Sequence, residues 1–286
     1  MTKKGDMLYA WTNDAEIKKH AELGGAVTAL WKYALESKTV DAILAIQKGK
    51  DLYDAQPVLI KNPAEIKNTA GSLHCGTLLM AKLVKKYLDG ANGMKIGVTV
   101  KGCDAMGFYE LAKRQQINLD NVVMIGVNCG GSVSPVLARK MIAEKYGVDP
   151  DTVHKEEIDK GQFIIEYEGG HKGISVDELE EHGYGRPSNC RRSKMKVPRQ
   201  ADLACGNWGV IGEKAGKATF VEVCSKKVQT LLTARSNPVS SPSSHRSPRV
   251  STSAGKSRAQ CSSLARSGGS TTSKPSARAR TGSGRS

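Results

Sequence analysis

The sequence lacks any long apolar run. No stretch approaches the ~20 apolar residues that a helix needs to cross a bilayer, and the basic residues near the start are followed by no apolar segment. We therefore expect no membrane span, no secretory signal and a cytoplasmic location. Seven cysteines in such a protein argue against a disulfide framework and favour reduced thiols that bind metal or take part in catalysis.

Two short motifs are also absent. The chain has no C-x-x-C pair and no G-x-G-x-x-G fingerprint. The first absence leaves no compact metal motif, so any thiol site must be assembled from distant parts of the chain. The second absence gives no support to a nicotinamide-type dinucleotide fold.

Acidic residues are missing from the last fifth of the chain. Residues 233–286 contain ten Lys and Arg, 17 Ser and no Asp, Glu or aromatic residue. Residues 1–232 therefore carry 33 positive and 28 negative charges, or +5 of the total +15. We predict a folded module over 1–232 and a disordered basic tail over 233–286, since the tail cannot bury enough apolar surface to offset its ordering entropy. The near-balanced module argues against nucleic acid as its partner.

Apolar patterns in residues 1–232 alternate between helical and strand spacing. This alternation predicts an α/β fold, with a mixed, largely parallel sheet flanked by helices. The predicted helices lie at 26–38, from 63 onward, at 75–88, at 104–114 and from 134 to 143; the strands lie at 40–47, 95–103 and 121–131, with a two-stranded antiparallel excursion at 161–176.

Two cysteines follow predicted buried strands. Cys103 and Cys129 each stand where a strand gives way to a loop, and ligands of parallel α/β sheets gather outside the carboxyl ends of strands. Cys190 and Cys205 flank a basic segment, whose charge would lower thiol pKa values and offset an anionic cluster. The alternative is that isolated cysteines are small buried hydrophobic residues, which we favour for Cys75 and Cys224. The basic residues are Arg191, Arg192, Lys194, Lys196 and Arg199.

Three glycine-containing turns are candidates for holding a phosphorylated cofactor. Gly24-Gly25 precedes a predicted helix, whose N-terminal N–H groups favour anions. Gly71-Ser72 and the turn at 206–209 are similarly short and polar. Taken singly, each is as well explained as an ordinary turn.

Together these segments resemble the beta-subunit family of coenzyme F420 hydrogenases and dehydrogenases, in particular its formate dehydrogenase type. The resemblance runs from about Leu8 to about Ser225. It rests on blocks in family order that include GGAVTALWKYALES, AGSLHCGTL, the KGCDA loop, VVMIGVNCGG, GYGRPSNCRR and PRQADLACGNWGVIG.

The resemblance implies an electron-transfer subunit that holds FAD and a 4Fe-4S cluster and exchanges electrons with coenzyme F420. It also implies a separate alpha subunit that oxidises formate at a molybdenum or tungsten pterin centre. Related alternatives are the beta subunit of an F420-reducing hydrogenase or another flavin reductase of this type.

The resemblance places Cys103, Cys129 and Cys190 on the family's cluster cysteines. The family's fourth cysteine falls at Ser193 here, so the cluster is expected to be weakened, with Ser193 or Cys205 as a substitute ligand. Lys101 could stabilise negative charge on reduced flavin or deazaflavin, as opposed to being a solvated loop lysine. The expected FAD-binding residues are Gly24, Gly25, Thr28, Gly71, Ser72, Gly206, Asn207 and Gly209.

The sequence departs from the family most strongly after the VEVCS block. It becomes rich in Ser, Arg, Thr and Pro and offers only Cys261 there, which is typical of an out-of-frame reading of a GC-rich gene. Two hypotheses of another class follow: a nonfunctional truncated relative, and a nucleic-acid binder that acts through its basic tail.

Overall fold

A computed structural model describes residues 3–76 and 78–228. Within them, ten strands form a seven-stranded sheet and a separate three-stranded sheet. The predicted tail at 233–286, with Cys261, lies outside the described residues. The strands of the large sheet are β1 (Met7–Ala10), β2 (Ala42–Lys48), β3 (Ala55–Ile60), β4 (Ile96–Val100), β5 (Val122–Val127), β9 (Leu203–Gly206) and β10 (Thr219–Val223); those of the small sheet are β6 (Val153–Asp159), β7 (Gln162–Tyr167) and β8 (Gly170–Ser175).

The large sheet is mixed, with parallel strands at its centre. Its order is β1-β10-β9-β5-β4-β2-β3. The pairs β9–β5, β5–β4 and β4–β2 are parallel, whereas β2–β3, β9–β10 and β10–β1 are antiparallel. The predicted mixed α/β fold is therefore confirmed. The carboxyl ends of β4, β5 and β9 meet at one edge because these strands are parallel.

Helices cover the faces of this sheet. In α2, Leu30, Trp31, Ala34 and Leu35 recur at helical spacing and are all buried against the sheet. The opposite face of the sheet is covered by α3 and α4, which bury Val84 and Phe108 among others. The α-helices are α1 (Ala15–His20), α2 (Ala26–Glu36), α3 (Met80–Tyr87), α4 (Gly102–Lys113), α5 (Pro135–Met141), α6 (Val176–Glu181) and α7 (Ser188–Arg192).

One predicted helix begins later than expected. The sequence pattern starts it at residue 75, but α3 begins at Met80. The Asp104 carboxylate accepts hydrogen bonds from the backbone N–H groups of Met80 (2.9 Å) and Ala81 (3.2 Å), and so caps the helix at this point. Cys75 instead lies buried in the apolar cluster beside the small sheet.

The small sheet has its own apolar core. The predicted two-stranded excursion is confirmed as β7 and β8, but β6 adds a third antiparallel strand. Phe163 and Ile165 of β7 pack with Met141, Ile142 and Leu179 from the neighbouring helices. The backbone N–H of Val133, in the loop after β5, donates to the carbonyl of His74, and this bond connects two segments that pack on this core.

Candidate functional site

The carboxyl edge of the large sheet carries most of the predicted site residues. Lys101 and Cys103 follow β4, Cys129 follows β5, and Asn207 follows β9. The Asn128 side-chain amide donates to the Asn207 side-chain oxygen at 2.9 Å, which joins the ends of β5 and β9 directly. Asn128 was not among the predicted residues, although it stands next to Cys129.

Cys190 reaches this edge from elsewhere in the chain, on the short helix α7. The segment after it packs on the other two cysteine loops. The carbonyl oxygen of Met195 lies so close to Gly102 that a Cβ atom there would be 2.5 Å away. The carbonyl of Lys196 accepts a hydrogen bond from the backbone N–H of Cys129 at 3.0 Å.

The fold thus brings the three segments that carry Cys103, Cys129 and Cys190 to one edge of the sheet. Cys103 is exposed, and Cys129 and Cys190 are half-buried. Although the Cys103 residue as a whole is exposed, partial desolvation of its sulfur raises the pKa of this thiol. Lys101 opposes that effect, and the charges of Cys129 and Cys190 add to the rise. At Cys103, desolvation of the thiol therefore outweighs the opposing charge of Lys101.

Ser193 lies in the turn that follows α7. Its backbone N–H donates to the Cys190 carbonyl at 3.3 Å, and its hydroxyl oxygen accepts from the N–H of Met195 at 3.2 Å. Ser193 therefore belongs to the same turn as Cys190, with its hydroxyl engaged by the backbone.

Cys205 lies apart from the three thiols. Its side chain is 1% exposed within the core between α2 and the sheet, where it packs with Leu203 and Val221. Burial raises the pKa of this thiol, with a smaller contribution from Cys224. A thiol held in an apolar core is poorly suited to replace Ser193 as a ligand.

The donor set fits a 4Fe-4S cluster in part. Such clusters are held by four thiolates, and this edge offers three thiols and the Ser193 hydroxyl, a harder and less suitable ligand for iron. Among residues 3–76 and 78–228, no three His, Cys, Asp or Glu side chains are grouped closely enough to hold a single metal ion.

Two of the three predicted glycine turns lie close to each other, beside β1 and β10. Gly25 has a left-handed backbone (φ +67°) at the start of α2, and no side chain caps that helix. Gly24 packs against Ala10 and Thr219, where a Cβ atom would lie 2.7 Å from the Ala10 carbonyl oxygen. The hydroxyl of Tyr9 donates to the Gly209 carbonyl at 2.7 Å. These contacts join the turns at 24–25 and 206–209 through β1 and β10.

Four further predicted site residues are Thr28, Gly71, Ser72 and Lys101. Thr28 is buried in α2, and a Cβ atom at Gly71 (φ +106°) would lie 3.0 Å from the carbonyl oxygen of His20. The Ser72 side chain has no hydrogen-bond partner among the residues that the structure describes. The ammonium of Lys101 donates to the Leu78 carbonyl at 3.3 Å, so this lysine is anchored beside the thiols.

Fold and site together define an α/β protein whose polar and thiol groups gather at the carboxyl edge of a mixed sheet. The chain belongs to the coenzyme F420 hydrogenase/dehydrogenase beta-subunit family. The family's sequence model for the N-terminal part of the beta subunit matches residues 7–85, and its model for the C terminus matches residues 93–239. The resemblance read from the sequence is therefore confirmed.

Two curated relatives are similar over most of this chain. It is 53% identical over 228 residues to F420-dependent formate dehydrogenase 1 subunit beta of Methanococcus maripaludis, covering 79% of this chain and 58% of that protein. It is 54% identical over 220 residues to F420-dependent formate dehydrogenase subunit beta of Methanocaldococcus jannaschii, covering 77% and 56% respectively. The chain thus spans little more than half the length of these relatives.

A solved structure supports the fold. A chain of the F420-reducing nickel–iron hydrogenase complex from Methanosarcina barkeri superposes with a TM-score of 0.68 at 23% identity, covering 82% of this chain and 79% of that chain. No helix in the described part of the chain combines the length and apolar character needed to cross a membrane.

Proposed function

We propose that this chain is the electron-transfer subunit of an F420-dependent formate dehydrogenase. The observation that carries the proposal is that the segments bearing Cys103, Cys129 and Cys190 meet at one sheet edge, in a chain 53% identical to a formate dehydrogenase beta subunit. Hydrogenase beta subunits are less similar, at 27% identity, and we therefore favour the formate enzyme. Its partner is then a formate-oxidising alpha subunit.

FAD and a 4Fe-4S cluster, when bound, would supply hydride exchange with coenzyme F420 and one-electron transfer. The chain itself contributes ligands and electrostatics. Cys103, Cys129 and Cys190 would be three ligands of the cluster. Ser193, at the position of the family's fourth cysteine, would be the fourth. Lys101 would stabilise negative charge that develops on the reduced ring beside the thiols.

The predicted FAD-binding turns have the chemistry that a pyrophosphate needs. The N-terminus of α2 has no side-chain cap, so its free N–H groups and helix dipole favour a phosphate there. The turns at 24–25 and 206–209, which contact each other through β1 and β10, would form part of the same phosphate-binding site. This assignment covers Gly24, Gly25, Thr28, Gly71, Ser72, Gly206, Asn207 and Gly209.

The proposal is tested by purifying the full chain without oxygen and measuring flavin, iron and acid-labile sulfide. We expect bound FAD that is reduced by reduced coenzyme F420, with iron below four atoms per chain because Ser193 is a poor ligand. Replacing Ser193 by Cys should raise iron and sulfide together. FAD without iron in both proteins would remove the cluster from the proposal, and bound flavin that reduced F420 fails to reduce would remove the activity.

A further inference from the structure

The side chain of Lys196 lies between two of the three cysteine segments. Its ammonium donates to the carbonyl of Cys190 and to the carbonyl of Gly130, in both cases at 2.9 Å. Its own carbonyl accepts the backbone N–H of Cys129 at 3.0 Å. Lys196 therefore forms hydrogen bonds to the backbone of three residues, Cys190, Cys129 and Gly130.

A second cation supports the same loop. The guanidinium of Arg186 donates to the Gly130 carbonyl at 2.8 Å, and Glu180 holds it through both carboxylate oxygens at 2.6 and 3.3 Å. A Cβ atom at Gly131 would lie 2.1 Å from Arg186 Cδ. The Gly130 carbonyl thus accepts two charge-assisted hydrogen bonds, which are stronger than neutral ones.

Neighbouring basic residues do not share this arrangement. Lys194 is exposed, and its side chain forms no hydrogen bond or ion pair with any residue in 3–76 and 78–228. Arg199 is engaged elsewhere, since its Nε donates to both carboxylate oxygens of Glu222 at 2.9 Å. Lys196 therefore bridges the Cys129 and Cys190 segments in a way that Lys194 and Arg199 do not, although all three residues carry a positive charge.

We propose that Lys196 is a positioning residue that fixes the separation of the Cys129 and Cys190 thiols. It acts through backbone carbonyls and does not itself touch a cofactor. The inference deepens the proposed function, because thiols held at a fixed separation are what a cluster requires. It concerns the geometry of the cofactor-free chain and so can be tested without a cluster.

The test measures how readily a short reagent that joins two thiols links Cys129 to Cys190 in the reduced, metal-free full chain. Mass spectrometry of the digested protein quantifies that product separately from products containing Cys103. Lys196→Met keeps much of the side-chain length and removes the ammonium donors. It should slow formation of the Cys129–Cys190 product about tenfold, as expected for loss of hydrogen bonds from a charged donor. Lys196→Arg should restore most of the rate.

Lys194→Met is the matched control, because it removes the same charge two residues away without removing a bond. We expect it to cross-link at the wild-type rate. An equal fall in Lys194→Met would assign the effect to charge and overturn the inference, as would an unchanged rate in Lys196→Met. Circular dichroism confirms folding; if Lys196→Met does not fold, Lys196→Leu, which also lacks a side-chain donor, is measured in its place with the same expected fall.

Iron content after anaerobic reconstitution separates this inference from the proposed function. If the wild-type chain binds no iron while the cross-linking difference persists, Lys196 positions the thiols but the cluster assignment fails. If the wild-type chain and Lys196→Met bind iron equally and cross-link equally, the positioning role fails while the cluster assignment stands.

Discussion

At the residue scale, the carboxyl group of Glu156 is exceptional because it is buried and pairs with no Lys or Arg among the described residues. The residue is 4% exposed on β6, and within that part of the chain neither oxygen has a partner of normal hydrogen-bond geometry. Burial raises its pKa, and the weakly donating Cys75 thiol and the charge of His74 offset only part of that effect. The other titratable groups acting there are the phenols of Tyr53 and Tyr146.

Because of Glu156, the free energy of unfolding should therefore fall as pH rises. Its folded-state pKa is above the ordinary value of about 4.3, so its contribution is fully present below about pH 4.3 and is lost as pH rises through the folded-state pKa. Each unit of difference is worth about 1.4 kcal/mol. We expect Glu156→Gln to remove this fall in the free energy of unfolding, measured by urea titration across the acidic and neutral range.

Glu157→Gln is the control for this prediction, since Glu157 is adjacent on the same strand but 42% exposed and paired with Lys155. It should preserve the pH dependence of the wild-type chain. Parallel loss of stability in the wild-type chain and Glu156→Gln would show that another group is responsible.

The sequence predicts some of these residues and not others for a physical reason. Cys103 and Cys129 were predictable because each follows an apolar strand, and parallel strands end at one edge. Lys196 donates hydrogen bonds to main-chain carbonyls of other segments, and a local sequence pattern cannot predict such contacts. Cys205 and Cys190 are alike in sequence, and only the packing of β9 against α2 separates the buried thiol from the accessible one.

At the element scale, the start of α4 sets the contact between the Cys103 and Cys190 segments. Gly102 is the first residue of α4, and a Cβ atom there would meet the carbonyl oxygen of Met195 at 2.5 Å. Backbone must move to relieve such a contact. We expect Gly102→Ala to lower the free energy of unfolding by about 1–3 kcal/mol and to reduce iron binding.

Gly107→Ala provides the matched comparison within the same helix. A Cβ atom at Gly107 would lie 3.5 Å from the Ala81 Cβ atom, an ordinary contact. Since alanine favours a helix interior by about 0.5–1 kcal/mol over glycine, Gly107→Ala should be more stable than the wild-type chain. Urea unfolding of both variants checks the pair, and a fully stable Gly102→Ala with normal iron content would refute the clash.

Element prediction succeeded for the longer apolar strands at the centre of the large sheet but missed β9, which is buried throughout and only four residues long. Strands β2, β4 and β5 lie in the parallel centre of the sheet and read as apolar runs. Strand β3 was missed because it is a partly exposed edge strand that contains Pro57, a residue that weakens a strand pattern. Strand β6 was missed because four of its seven residues are Lys, Glu or Asp, including the buried Glu156, so it shows no apolar strand pattern.

At the scale of the whole molecule, the site depends on segments that are far apart in sequence. Residues 101–103, 128–131 and 186–196 meet only when β4 and β5 are paired and α7 is docked. The site therefore cannot form from one local unit. Single substitutions that loosen any of the three segments are expected to affect the thiols as a group.

Charge is the other property of the whole molecule. The ten Lys and Arg of 233–286 account for two-thirds of the net +15. If the chain binds polyanions, this segment should be responsible, with an affinity that falls steeply with salt, by about 0.9 in logarithmic slope for each phosphate contacted. We expect the full chain to bind nonspecific duplex DNA weakly at low salt, and replacement of all ten by Gln to abolish the binding.

The same two proteins distinguish a nucleic-acid function from an electron-transfer function. Substitutions confined to 233–286 leave the three thiols and the glycine turns unchanged, so flavin and iron contents should be equal in both proteins. Replacing Arg191, Arg192 and Lys194 instead removes three positive charges near Cys190 and serves as the comparison within the folded part. If that variant loses DNA binding while the tail variant keeps it, the basic surface beside the thiols, and not the tail, recognises the polyanion.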